Sequence, residues 1–217
     1  MSGASAIRED DSLLSRADRA LFRLESAFTL AGGVVIMSLM LLAVAQIFGR
    51  KLFNMPVPGF IDWVEQAMAV FAFLGVAYCQ RLGGHIRMDI LIGRLRGRAL
   101  WTAEMISTLV MLSLVLALIV GSWRHFARSF DFASPWFSRD SSIDIALPLW
   151  PAKLLVPLAL SLLALRFALQ LWGYARAMRE GGDAPVAVPL IENAAEVAAR
   201  EAETVQGVED DLKERRQ

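Results

Sequence analysis

The apolar residues of this chain are gathered into four long runs separated by polar segments. The runs cover about residues 27–48, 61–80, 99–123 and 150–172. A helix rises about 1.5 Å per residue, so about 20 residues cross the roughly 30 Å hydrocarbon core of a bilayer. The pattern therefore predicts an all-α membrane protein with four transmembrane helices.

The segment before the first run shows a helical period. Its apolar positions are Leu14, Ala17, Leu21, Leu24 and Phe28. Charged residues fill the positions between them, which is typical of an amphipathic helix. Because this helix leads into a span, we expect it to lie along the membrane surface, within an N-terminal segment of residues 1–26. A helical extension of the first span is the alternative.

The first run is a retained helix rather than a signal peptide. Residues 26–49 hold no charge over 24 positions, whereas the apolar part of a signal peptide spans about 7–15 residues. The four runs form a transmembrane domain of residues 27–174. Residues 175–217 form a tail rich in Ala and Glu, which we expect to be partly helical or disordered.

The basic residues orient the chain, because cytoplasmic loops of membrane proteins carry an excess of Lys and Arg. Four spans place both termini on one side. The basic residues on that side are Arg8, Arg16, Arg19, Arg23, Arg81, Arg87, Arg94, Arg96, Arg98, Arg176 and Arg179. Those on the other side are Arg50, Lys51, Arg124, Arg128, Arg139 and Lys153. The larger number on the first side predicts that both termini are cytoplasmic.

Two ionisable residues of opposite sign fall inside spans. Glu104 lies about 8 Å and Arg166 about 9 Å from the cytoplasmic end of its span, at 1.5 Å per residue. Charged residues within a membrane usually pair with one another, so we expect a Glu104–Arg166 ion pair. The alternative is that Arg166 extends towards the cytoplasmic headgroups.

At the other end of the second span, Glu65 is within reach of Arg50 or Lys153. We expect a structural ion pair rather than a proton relay, because a relay needs several ionisable groups near the middle of the bilayer. None of the acids reaches that depth.

Composition agrees with a membrane protein and narrows its chemistry. The chain is 56% hydrophobic, above the usual 45–50% of soluble domains, and its net charge of zero gives no bias towards nucleic acid. The two histidines, His85 and His125, fall in loops on opposite sides, which disfavours a haem with paired axial histidines. No P-loop, G-x-S-x-G or H-E-x-x-H motif occurs. We expect no catalytic centre, cofactor or metal site.

The stretch from the first loop to the second resembles one transporter family. It combines an Arg after the first span, a Pro-containing turn, an acidic start to the second span and a Gly-His-Ile-x-x-Asp corner. The matching residues are Arg50, Pro56, Glu65, Phe73, Leu74, Gly75, Ala77, Arg81, Gly84, His85, Ile86 and Asp89. In order and topology, residues 12–180 are similar to the small, DctQ-like membrane subunit of tripartite ATP-independent periplasmic (TRAP) transporters.

The resemblance implies a function that the residues alone do not supply. In such systems a large membrane subunit carries substrate and sodium, and a periplasmic binding protein delivers the substrate, typically an organic anion such as a carboxylate. The small subunit is a non-catalytic membrane scaffold in the bacterial inner membrane. The motif residues that carry this expectation are Arg50, Glu65, Gly75, Gly84, His85 and Asp89. The alternatives are an autonomous four-helix secondary transporter that uses Glu65, and the membrane anchor of an electron-transfer complex.

Overall fold

The structure, a computed structural model, describes residues 13–81 and 98–180. Its helices are α1 (Leu13–Leu52), α2 (Phe60–Leu74), α3 (Val76–Arg81), α4 (Arg98–Ser129) and α5 (Trp150–Glu180). A single 3₁₀ turn, Pro135–Phe137, lies between α4 and α5. No β-strand occurs in the described residues, apart from isolated bridges.

The structure holds four candidate membrane-spanning helices at the predicted positions. The segments Leu13–Leu52, Phe60–Arg81, Leu100–Ser129 and Trp150–Arg179 are each long and apolar enough to cross a bilayer. The second is divided at Gly75 into α2 and α3, a break that the sequence pattern did not predict.

The described part of the N-terminal segment, residues 13–26, does not form a separate surface helix. α1 is a continuous helix of 40 residues that begins at Leu13 and includes the first span. This is the arrangement of the alternative, a helical extension of the span. The buried face of the extension holds Leu14 and Leu21 but also the acids Asp18 and Glu25, so its polar residues are packed inside the protein as well as outside it.

α5 is the central helix of the bundle. In the most apolar part of α5, half of the residues are buried, whereas the corresponding share is 6% in α1 and 11% in α4. The core packs Leu160, Leu163 and Phe167 of α5 against Val115 of α4 and Ala77 of α3. The outer surfaces of α1 and α4 are therefore largely apolar and exposed.

A glycine allows α1 and α2 to approach closely. Gly32 is buried in α1, and a Cβ atom at this position would lie 3.3 Å from Cβ of Leu74. The lack of a side chain at Gly32 thus allows the close contact of α1 with α2.

The four spans, of which α2 and α3 together form the second, alternate in direction, so the bundle has two distinct ends. We call the end that contains Leu13, Arg81, Arg98 and Glu180 the terminus end. We call the other end, which contains the turn 53–59 and the segment 130–149, the hairpin end. The predicted tail and the motif residues Gly84, His85 and Asp89 lie outside the described residues.

Candidate functional site: a buried charge cluster and a braced hairpin

Four charged side chains meet inside the terminus end of the bundle. They are Asp18 and Glu25 of α1, Arg81 of α3 and Arg166 of α5. Each is at most 3% exposed. We call this set the charge cluster; it holds two acids and two bases, and its formal charge is zero.

Asp18 is the shared acceptor of the cluster. Arg81 donates from Nη1 to Oδ1 at 3.2 Å and from Nη2 to Oδ2 at 2.8 Å. Arg166 donates from Nη1 to the same Oδ1. One carboxylate therefore links three helices, and the two-point contact with Arg81 has the geometry that favours Arg over Lys.

Glu25 of α1 lies between the guanidinium groups of Arg81 and Arg166. Its Oε2 is 3.8 Å from Nη1 of Arg81, and its Oε1 is 4.0 Å from Nε of Arg166. These are ion-pair distances beyond hydrogen-bond range. Because burying an unpaired charge is costly, the second acid is needed to balance the second arginine.

A polar layer continues from the cluster towards α4. Gln80 Nε2 donates to Oε1 of Gln170 at 3.0 Å, which joins α3 to α5. Tyr174 donates from its hydroxyl to Oε2 of Glu104 at 3.2 Å, which joins α5 to α4. The guanidinium of Arg81 also lies 4.4 Å from the ring centre of Phe22, within cation–π range.

The expected Glu104–Arg166 ion pair is wrong in its partner. Both residues are buried at the terminus end, but Arg166 pairs with Asp18 and Glu25. The prediction chose the wrong partner, because the extension of α1 brings two further acids, Asp18 and Glu25, to Arg166.

The sequence carried a signal for the cluster that the periodicity argument missed. Leu14, Asp18, Leu21, Glu25 and Phe28 follow one another at spacings of four and three. This is the spacing of a single helical face, so the two acids lie on the same stripe as the leucines. The neighbouring positions 17 and 24 were assigned to that face instead, and Leu24 is 52% exposed.

At the hairpin end, Asp62 joins the start of α2 to the segment 130–149. Its Oδ2 accepts from Ser142 Oγ at 2.6 Å, from Ile145 N at 2.9 Å and from Asp144 N at 3.1 Å. Asp62 is 4% exposed. This acid, and not Glu65, braces the second span at this end.

Lys153 is also engaged by the hairpin. Its Nζ lies 2.6 Å from Oδ2 of Asp140 and 2.5 Å from Oγ of Ser129. Asp140 also accepts a hydrogen bond from Ser129 Oγ, and the bonds from Lys153 and then Ser129 hold the pKa of Asp140 below its usual value. The expected Glu65–Lys153 pair is therefore wrong, because a nearer acid takes the lysine.

Glu65 and Arg50 both lie on the exposed surface. No ion pair of Glu65 occurs within the described ranges 13–81 and 98–180, so its expected pair with Arg50 is not formed there. Arg50 instead lines a cavity of about 540 Å³ together with Gln46 and Asp144. Gln46 accepts a hydrogen bond from Val57 N at 2.6 Å, which fixes the turn after α1.

These observations define a helical membrane protein with a buried charge cluster whose two acids balance its two bases. A family model described as "Tripartite ATP-independent periplasmic transporters, DctQ component" matches residues 39–177. Because the match covers well over half of the 217 residues, the chain belongs to this family, which is a transporter component and not an enzyme family. Arg81 and Arg166 lie within the match, whereas Asp18 and Glu25 precede it. No curated protein sequence matches the chain.

Proposed function

We propose that this chain is the non-catalytic small membrane subunit that scaffolds the large transport subunit of a TRAP system. The observation that carries the proposal is the family match over residues 39–177. In this role the chain supports sodium-coupled uptake of an organic anion, a carboxylate, that a periplasmic binding protein delivers. The substrate and the ion are bound by the partners.

The charge cluster supports a static role. Asp18, Arg81 and Arg166 hold one another in a buried, hydrogen-bonded arrangement across three helices. A carboxylate that couples transport to an ion must bind and release that ion during each cycle. Groups that are neutralised by arginines at close range suit a rigid frame instead.

We also propose that both termini face the cytoplasm of a bacterium, with the chain in its inner membrane. The excess of arginines on that side supports this orientation. The charge cluster then lies near the cytoplasmic surface and the hairpin end faces the periplasm. In that orientation Arg50 and Glu65 are exposed on the periplasmic half, and we propose that they contact a partner subunit.

The position of Glu65 disfavours an autonomous transporter. Ile61, Glu65 and Met68 are all exposed and share one face of α2. A coupling acid is expected to face a polar interior, whereas this face is directed away from the bundle.

Co-purification tests the proposal. A tagged full-length chain is co-expressed with the large membrane subunit of the same transport system and isolated in mild detergent. We expect a stable complex of the two subunits. An unrelated membrane protein of similar size, tagged in the same way, is the control. A chain that never retains the large subunit contradicts the scaffold role.

A further inference from the structure

The segment 130–149 presents an exposed patch of aromatic rings. Phe132 is 81% exposed, Trp136 78% and Phe137 51%. The ring centre of Phe130 lies 4.9 Å from that of Phe132 and 6.4 Å from that of Phe137. The ring of Trp150 at the start of α5 completes the set, 5.4 Å from Phe130. We call these five residues the aromatic patch.

The backbone holds two of these rings outward in an unusual conformation. Trp136 has φ 58° and Phe137 has φ 57°, in the left-handed region that bulky residues rarely adopt. Such conformations persist where the surroundings impose them and tend to occur at functional positions. Where the chain only has to reverse its direction, glycine is the usual residue in this conformation. Two exposed aromatic residues in it therefore indicate that their side chains have a role.

Hydrogen bonds impose the conformation. Asp131 accepts from Ala133 N at 3.0 Å and from Arg139 Nε at 3.0 Å. The indole nitrogen of Trp150 donates to the carbonyl oxygen of Trp136 at 2.9 Å. Hydrogen bonds therefore hold the backbone on both sides of the aromatic patch and keep its rings exposed.

The patch is continuous with a spanning helix. Trp123 is 52% exposed on α4, and its ring centre lies 5.4 Å from that of Phe126, which lies 5.4 Å from that of Phe130. The rings thus form a ladder from the apolar surface of α4 to the hairpin. Tryptophan and tyrosine concentrate where spanning helices meet the headgroup layer, because their rings are apolar and their polar atoms need partners.

Charge complementarity favours phospholipid over water beside the patch. Arg124 and Arg128, in the last turns of α4, are exposed, and the Arg139 side chain is 60% exposed. Guanidinium groups bind phosphate oxygens well. Apolar rings with arginines at their edge match the boundary between acyl chains and phosphates.

We propose that the aromatic patch is a lipid-binding wedge that lies in the headgroup layer and upper acyl region at the hairpin end. The hairpin folds back onto the bilayer instead of projecting into the aqueous phase. Its ligand is the phospholipid of that leaflet, with the phosphates on the arginines and the acyl chains on the rings. The wedge fixes the depth of α4 and α5 in the membrane, independently of any transport role.

Spin labels test the wedge in the full-length chain. Cys79, the single cysteine, is replaced by Ser, and one cysteine is introduced per variant: Phe132→Cys, Trp136→Cys, Ser141→Cys or Leu116→Cys. The labelled proteins are reconstituted into vesicles of phosphatidylethanolamine and phosphatidylglycerol. Collision of each label with oxygen, which concentrates in lipid, is compared with collision with a water-soluble nickel chelate. Leu116, half exposed on α4, is the lipid control, and Ser141, exposed outside the patch, is the control within the hairpin.

We expect the labels at 132 and 136 to favour oxygen, as at 116, and the label at 141 to favour the nickel chelate. Labels at 132 and 136 that match 141 overturn the proposal. Phe132 does not have a positive φ, so its variant gives a result even if Trp136→Cys disturbs the hairpin. A label at 132 that favours the nickel chelate in vesicles, and becomes immobile only when the periplasmic binding protein is added, assigns the patch to a protein partner and also overturns the lipid wedge.

Discussion

Arg81 and Asp18 form a two-point contact, at 2.8 Å and 3.2 Å, although they lie 63 residues apart in the chain. Arg166 contacts the same carboxylate from a third helix. The N-terminal extension of α1 is thus fastened to α3 and α5 by buried charges rather than by apolar packing alone. Loss of Asp18 therefore affects more of the bundle than loss of any other acid in the described residues.

Removal of this acid should destabilise the protein strongly. Asp18→Asn leaves two buried arginines opposite the single acid Glu25, and an uncompensated buried charge typically costs about 3–5 kcal/mol. The free energy of unfolding, measured by titration with SDS in detergent micelles, should fall by about that amount. Glu65→Gln is the matched control, because it neutralises an exposed acid, and should change little. Equal stabilities of the two variants would show that Asp18 is not part of a buried network.

Double-mutant cycles distinguish the observed partner of Arg166 from the expected one. Residues within one ion-pair network show coupling energies of about 0.5–3 kcal/mol, whereas independent sites are additive. The cycle of Asp18→Asn with Arg166→Gln should show coupling in this range, and the cycle of Glu104→Gln with Arg166→Gln should show less. A larger coupling energy in the Glu104 cycle than in the Asp18 cycle would contradict the observed Asp18–Arg166 pair and support a Glu104–Arg166 pair.

Asp62→Asn should loosen the hairpin without disturbing the terminus end. The change removes the charge that accepts three hydrogen bonds from Ser142, Asp144 and Ile145. Amide hydrogen exchange should become faster at residues 142–147, while exchange in α5 near Arg166 stays unchanged. A uniform increase in exchange rate across the bundle, or no increase in the hairpin, would contradict the role of Asp62 in holding the hairpin.

Gly59 should tolerate no side chain. Its φ of +64° is in the left-handed region, and a Cβ atom there would lie 2.5 Å from Cγ1 of Ile145. The conformation alone costs a non-glycine residue about 1–2 kcal/mol. Gly59→Ala should lower the free energy of unfolding by at least this amount, and adding Ile145→Ala should recover part of the loss by removing the clash. The double variant should remain less stable than Ile145→Ala alone, because the strained φ persists; a full recovery would show that the clash is the whole effect.

The hairpin should also be sensitive to acid. The pKa of Asp140 is lowered by the hydrogen bonds from Lys153 and Ser129, and that of Asp131 by the bonds from Ala133 N and Arg139. A carboxyl whose folded pKa lies below its unfolded value stabilises the fold above the unfolded pKa, near 3.9 for Asp. That stabilisation is lost as the pH falls through the folded pKa. The protection factors of the hairpin amides, which correct for the intrinsic pH dependence of exchange, should therefore fall below about pH 4, and Lys153→Met should reduce the contribution of Asp140. A pH-independent hairpin would contradict these contacts.

The spanning helices were predictable because about 20 consecutive apolar residues have few other uses. The predicted spans at 61–80 and 150–172 agree with the helical segments Phe60–Arg81 and Trp150–Arg179. The break at Gly75 was not predictable, because the residues on both sides continue the same apolar pattern. Its φ of −89° is available to any residue, and a Cβ atom there would meet nothing within 4 Å.

The partners of buried charges were harder to predict than their depth. Arg166 and Glu104 were correctly placed inside the protein, but pairing depends on which helix faces which, and one sequence does not show that. At the hairpin end the same limit applied to Lys153, whose partner Asp140 lies 13 residues before it in a segment with no regular period. The motif residues Gly84, His85 and Asp89 lie outside the described residues, so their family-based role stays a prediction.

Reconstituted uptake tests the scaffold function most directly. Proteoliposomes are prepared with the large subunit and this chain, with each membrane subunit alone, and with the complex containing Asp18→Asn, each with the substrate-loaded periplasmic binding protein outside. We expect sodium-dependent uptake of the carboxylate only when both membrane subunits are present, and none from this chain alone. Sodium-driven flux through this chain in the absence of the large subunit would contradict the scaffold function.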